Sequence, residues 1–219
     1  MFKAILLKEL KLLGSLLNRI LSFLVLILSL FFIYHFALEK NSKLSIESLI
    51  GIKWTSIFIL SYILISQISE DEKESGAFEI NQIYISRSFE FISKSVLCFV
   101  GLFIVFLIEN FLILILFEEG KIYFNSFQFI FLFHSILPIL SLSFLGIMVS
   151  ELGYETEKKE LILPILLIPL IIPVLLLTIQ SETKLILSGE FQIYSMLVLF
   201  SFSILYLSLG LILKEYILS

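Results

Sequence analysis

Cysteine, histidine and glycine are scarce in this chain, and each shortage excludes something. Cys98 is the single cysteine, so a disulfide within the chain and any metal site built on several thiolates are ruled out. His35 and His134 are the only histidines, and neither lies in an H-E-x-x-H pattern. No G-x-x-x-x-G-K-[ST] phosphate loop and no G-x-S-x-G nucleophile elbow is present, so ATP hydrolysis by that loop and acyl transfer by that elbow are excluded. Charged residues make up 16% of the chain and the net charge is −4, with no Lys/Arg cluster to follow a phosphate backbone. Nucleic acid is therefore not a partner, and the chain reads as no enzyme.

What fills the 219 residues is hydrocarbon-compatible side chain. Hydrophobic residues are 59% of the total and Phe alone occurs 23 times, against about 45–50% apolar in soluble domains. Six apolar runs approach or exceed the ~20 residues a helix needs to cross a bilayer. They lie near Ile20–Leu38, Leu49–Ile68, Ser95–Phe117, Phe127–Ser150, Leu161–Gln180 and Phe191–Leu213. None alternates with period 2, so strands do not compete. The expected fold class is an all-α integral membrane protein: one transmembrane domain over residues 1–219, a bundle of six helices.

Lys and Arg set the expected orientation. Lys3, Lys8, Lys11, Arg19, Lys73, Arg87, Lys94, Lys158, Lys159 and Lys214 fall on one side. Lys40, Lys43, Lys53, Lys121 and Lys184 fall on the other. Ten against five places both termini and the polar stretch Ser69–Lys94 in the cytoplasm. Ahead of the first span, residues 1–18 are amphipathic: Phe2, Ile5, Leu6, Leu10, Leu13, Leu16 and Leu17 share a face, with Lys3, Lys8 and Lys11 towards the other. Such a helix lies in the headgroup plane. The run that follows it is too long for a signal-peptide core.

A few residues stand out against this background. Glu109, followed by Asn110, lies deep in the third span, where a charged carboxylate costs about 2.5–3.5 kcal/mol on insertion scales. It is expected to line or pack the bundle, accepting from a Ser or Asn of a neighbouring helix. Lys53 and Trp54 open the second span, as a snorkelling ammonium and an indole at headgroup depth. Pro164, Pro169 and Pro173 crowd the fifth span, making it the least regular helix and a candidate moving or cargo-adjacent element. His35 and His134 are placed on opposite sides of the membrane, which disfavours a shared haem. Few charges are expected inside the membrane, which argues against ion coupling.

The stretch Ser69–Lys94 is the one long interruption. It has an acidic half to Glu74, a break at Gly76, and a second half in which Phe78, Gln82, Ile83 and Ile85 alternate with polar groups. A short amphipathic helix is expected to start near Ser75, with Glu79 near its positive end. One long excursion among short connections reads as a docking element.

At these residues the chain resembles the haem exporter protein B (CcmB) family, the membrane subunit of the cytochrome c maturation ABC transporter. Gly51-Ile52-Lys53-Trp54 is similar to that family's Gly-x-x-Trp. Asp71 and Gly76-Ala77-Phe78-Glu79 match its acidic D-x-x-x-[DE]-G-x-L-E loop, with Ser75 and Phe78 as departures. Leu163 to Leu175, with Pro164, Pro169 and Pro173, is similar to its proline-rich fifth helix. Ser86-Arg87-Ser88 stands where the family carries Ser-Pro-Leu, and Glu155 to Glu160 replaces a Gly- and Arg-rich loop.

The resemblance implies a bacterial inner-membrane permease acting in haem delivery for cytochrome c assembly. Its ATPase is a partner docked on a coupling loop carrying Asp71, Gly76, Phe78 and Glu79. It also implies the haem-handling membrane protein and the small membrane protein of the same system as partners, and a homodimer of this chain within the complex. Haem is held by a partner, so no cofactor is expected on this chain. The residues themselves leave open a permease for another hydrophobic cargo, a haem- or quinone-binding redox protein using His35 and His134, and a carrier that needs no ATPase.

Overall fold

A computed structural model describes residues 23–37, 45–74, 86–120, 129–154 and 159–216. All regular structure among them is helical: α1 (Phe23–Ala37), then α2 (Ile46–Glu74), α3 (Arg87–Leu116), α4 (Phe129–Tyr154), α5 (Lys159–Ser188) and α6 (Ile193–Tyr216). Five of these, α2 to α6, are long and apolar enough to cross a membrane, and α1 is a shorter apolar helix. At about 1.5 Å per residue, the 24 residues of α6, the shortest of the five, reach past the ~30 Å of a bilayer's hydrocarbon.

Helix α4 is the axis of the bundle and packs on α2, α3, α5 and α6. Helical spacing accounts for the faces. Along α2 the buried residues include Leu49, Ile50, Lys53, Trp54, Ile57, Leu60, Leu64, Ile65 and Ile68, the i, i+3, i+4 stripe of a helix with one inward side. On α5 the inward positions are Leu167, Ile171, Val174, Thr178, Ser181, Glu182 and Leu185. The outer surface is apolar as well: Ile165, Ile172 and Leu176 on α5 and Leu197, Phe200 and Ile204 on α6 are exposed. Side chains of this kind on both faces of a helix call for lipid rather than water outside. Hydroxyls in the interior bond back to their own helix, as Ser135 does to the Phe131 carbonyl, Ser143 to Ile139 and Thr178 to Val174.

Three expectations change. The long polar interruption narrows, because α2 continues through Ser69–Glu74 and α3 already begins at Arg87. Glu and Lys are good helix formers and no breaker precedes Gly76, so the acidic half extends a membrane helix instead of forming a loop. The fifth span does not end at Gln180 but at Ser188, closed by Gly189 at φ 70°, whose N–H bonds the Leu185 carbonyl at 3.1 Å. A left-handed residue there is a usual helix stop, and glycine adopts it without a Cβ penalty. The prolines do not break α5 either. Pro169 and Pro173 lie on its exposed face and Pro164 is half-buried, so their missing N–H groups fall away from the packed side. The amphipathic segment 1–18 and the short helix expected from Ser75 lie outside the described residues.

One close approach fixes α6 against α3. A Cβ on Gly210 would meet the Phe91 ring at 2.2 Å, so only glycine lets the two helices come this near. Gly210→Leu is expected to destabilise the bundle by about 1–3 kcal/mol, the usual cost of overpacking. A lowered melting midpoint in detergent checks it; a midpoint equal to wild type contradicts the packing described.

Candidate functional site

Among the described residues, six Lys and Glu side chains are buried: Lys53, Glu90, Lys94, Glu109, Glu182 and Lys214. The expected scarcity of charge inside the membrane is therefore corrected. The charges gather in two clusters, one near each end of α3. Glu90 and Glu109 share the buried stripe of that helix and, nineteen positions apart, are separated by about 28 Å at helical rise. The clusters thus lie roughly one hydrocarbon thickness apart.

The first cluster joins α2, α3, α4 and α5 where α2 and α4 begin and α3 and α5 end. The Lys53 ammonium forms a buried ion pair with the Glu182 carboxylate, and the Trp54 indole N–H donates to the other oxygen of Glu182 at 2.5 Å. Around that ammonium stand the rings of Phe106 at 4.9 Å, Phe131 at 5.0 Å and Trp54 at 5.2 Å. Three aromatic faces and one carboxylate replace the water that a buried cation loses. One turn along α2, Ser56 donates to Glu109 Oε1 at 2.6 Å, while Glu109 Oε2 is buried without a hydrogen bond. His134 Nε2 meets the Ser181 hydroxyl at 2.8 Å.

Lys53 and Trp54 are thus not interfacial anchors. Both are fully buried, because the stripe of α2 that packs inward carries them and a carboxylate waits opposite. The histidines are corrected too. His35 packs edge-on against Phe117, just past α3, with ring centroids 5.6 Å apart. That is the end where α4 begins and carries His134, so the two lie at the same end of the bundle. Each has its own protein contacts there.

At the other end of α3, Glu90 and Lys94 meet Glu151 near the end of α4 and Lys214 near the end of α6. Lys94 reaches Glu90 at 2.8 Å and Glu151 at 3.3 Å; Lys214 reaches Glu151 at 2.8 Å and Glu90 at 3.2 Å. Cations and carboxylates alternate around a closed ring of four, which leaves no net charge in it. Lys94 and Lys214, read as cytoplasmic loop and tail charges, belong to this interior ring.

Of the residues singled out in the sequence, Glu109 stands in the first cluster. Asp71 is in the last turn of α2, and Gly76, Phe78 and Glu79 lie outside the described residues. Pro164, Pro169 and Pro173 belong to neither cluster. Glu182, Glu90 and Glu151 were missed. The signal for Glu182 was present: the inward spacing of α5 continues from Val174 through Thr178 to Ser181, Glu182 and Leu185. Ending that span at Gln180 hid it. Among the described residues no group of three or more His, Cys, Asp or Glu is arranged to hold a metal ion.

The first cluster makes a quantitative demand. Lys53→Ala leaves the Glu182 carboxylate buried and uncompensated, so about 3–5 kcal/mol of stability should be lost. Replacing both partners, Lys53→Met with Glu182→Gln, should recover most of it. Thermal unfolding in detergent checks this cycle, and a double variant as unstable as the single one contradicts it.

The geometry places packed, internally paired charges in a multi-pass apolar bundle. No curated protein and no solved structure matches the chain. The profile of the CcmB protein family does, over residues 1–211, nearly the whole length. The chain therefore belongs to the CcmB family, the non-catalytic membrane subunit of the haem exporter ABC transporter for cytochrome c maturation, whose ATPase is a separate subunit.

Proposed function

We propose that this chain works as the mechanical permease of that transporter, driven through the connection between α2 and α3. The ATPase docks on the polar segment carrying Asp71, Gly76, Phe78 and Glu79. Nucleotide binding and hydrolysis then shift the tilt of the two helices that flank it. A ligand moves such an equilibrium only by favouring one state over the other, so the nucleotide acts through the contact between ATPase and segment. The observation that carries this reading is the continuity of α2 from apolar Ile68 into the charged turn ending at Glu74. A push delivered just beyond Glu74 meets a helix end rather than a slack loop.

In this reading six helices cross the membrane, α1 among them, and both termini are cytoplasmic. Residues 1–18 lie in the headgroup plane, and the whole chain is one permease domain. The haem-handling membrane protein and the small membrane protein of the same system are its companions, with two copies of this chain in the complex. Haem stays with the companion that ligates it. Motion of this bundle promotes release of the haem-loaded chaperone. With Lys94 and Lys214 taken up by the ionic ring and Lys53 by its pair with Glu182, the remaining Lys and Arg still stand eight to four in favour of that orientation, both termini cytoplasmic.

Two substitutions test the docking. Gly76→Pro and Glu79→Arg should leave membrane insertion intact, abolish co-purification of the ATPase and cut c-type cytochrome levels at least about tenfold, within the range of typical coupling energies. Wild-type cytochrome levels in both variants contradict it. A reporter fused after Ser219 should be active only in the cytoplasm.

A further inference from the structure

The ring of Glu90, Lys94, Glu151 and Lys214 ties three helices together at the end from which α3 starts. We infer that this ring is the joint that passes the ATPase stroke from α3 to α4 and α6, so that the three helix ends move as one rigid block. The inference rests on docking at the α2–α3 connection.

Three features support it. First, position: Glu90 is four residues after Ser86, the cap of α3, so it is in the first turn to receive any displacement of the 75–85 segment. Second, closure: every member pairs with two others; Glu90–Lys94 lies within α3, and the remaining three pairs join α3 to α4, α4 to α6 and α6 to α3. Displacing α3 alone would pull Glu90 from Lys214 and Lys94 from Glu151 together, leaving charges at a site with little water. Attraction in such surroundings is far stronger than in solvent. Third, cooperation with packing: Gly210 lies one turn before Lys214 and receives the Phe91 ring, next to Glu90, so shape and charge hold the same contact. These four residues are positioning residues, acting through the helices they join.

The test uses the intact complex of this chain with its ATPase. Spin labels at Ser88, on α3, and Glu215, on α6, report the width of the block. Their separation should be the same with a non-hydrolysable ATP analogue and without nucleotide, and should broaden in Glu151→Gln. In cells, Glu151→Gln and Lys214→Met should keep the ATPase bound but lower c-type cytochrome yield about tenfold, a loss on the scale of allosteric coupling, while Lys214→Arg retains yield. A wild-type separation that changes between nucleotide states overturns the inference. So does near-normal yield in Glu151→Gln, or a yield that falls only in proportion to the amount of folded chain. If the neutral variants do not accumulate, the wild-type label distances still decide. ATPase that co-purifies with the Gly76→Pro and Glu79→Arg chains defeats the docking reading instead, without altering what those distances say about the block.

Discussion

Inside hydrocarbon a charge has no water to turn to, so every ionisable group on a buried helix face must find its partner within the protein. That constraint organises this chain more than any single apolar contact. Lipid tails are as apolar as leucine, so burying Leu and Ile between helices gains little over leaving them against lipid. Ion pairs, close approaches and shape remain to specify which helix faces which. Lys53 with Glu182 fixes α2 against α5, Glu109 with Ser56 fixes α3 against α2, and the ring of four fixes α3, α4 and α6 together. Between the two clusters the polar contacts across helices are uncharged: Ser141 with Ser203 joins α4 to α6, and Tyr206 donates to the Leu170 carbonyl of α5.

Such a division suits a machine that moves but performs no chemistry. Charges concentrated near the two ends make the ionic joints, while apolar packing and a few uncharged hydrogen bonds hold the middle. The membership of the CcmB family supplies the motor, a separate ATPase, and the process, haem export for cytochrome c maturation. Nothing in the bundle needs to bind nucleotide, and the absence of a phosphate loop from the sequence agrees with that division of labour.

The apolar runs and the family were legible in the sequence, because hydropathy over twenty residues is a strong signal and the Gly51–Trp54, Asp71–Glu79 and Leu163–Leu175 stretches follow in the family's order and spacing. The interior charges were not. Lys53 looks like an anchor as long as the second span is thought to begin near it; once α2 starts at Ile46 the same residue is two turns inside, on the packed stripe. Glu182 fell beyond a span ended too early, and Lys94 and Lys214 passed for topogenic charges because pairing with Glu90 and Glu151 joins positions up to 124 apart in the numbering. Long-range partners of this kind leave no local pattern. The proline-rich fifth span shows the reverse: a strong local signal for irregularity that α5 absorbs by turning Pro169 and Pro173 outward.

The account stands on delivery of force at the α2–α3 connection, and site-directed photocross-linking tests that most directly. A photoreactive residue at position 78, introduced into the chain in living cells, should capture the ATPase subunit, whereas the same residue at the exposed Tyr194, near the opposite end of the bundle, should not. Capture of the ATPase from position 194 and not from position 78 would contradict the account.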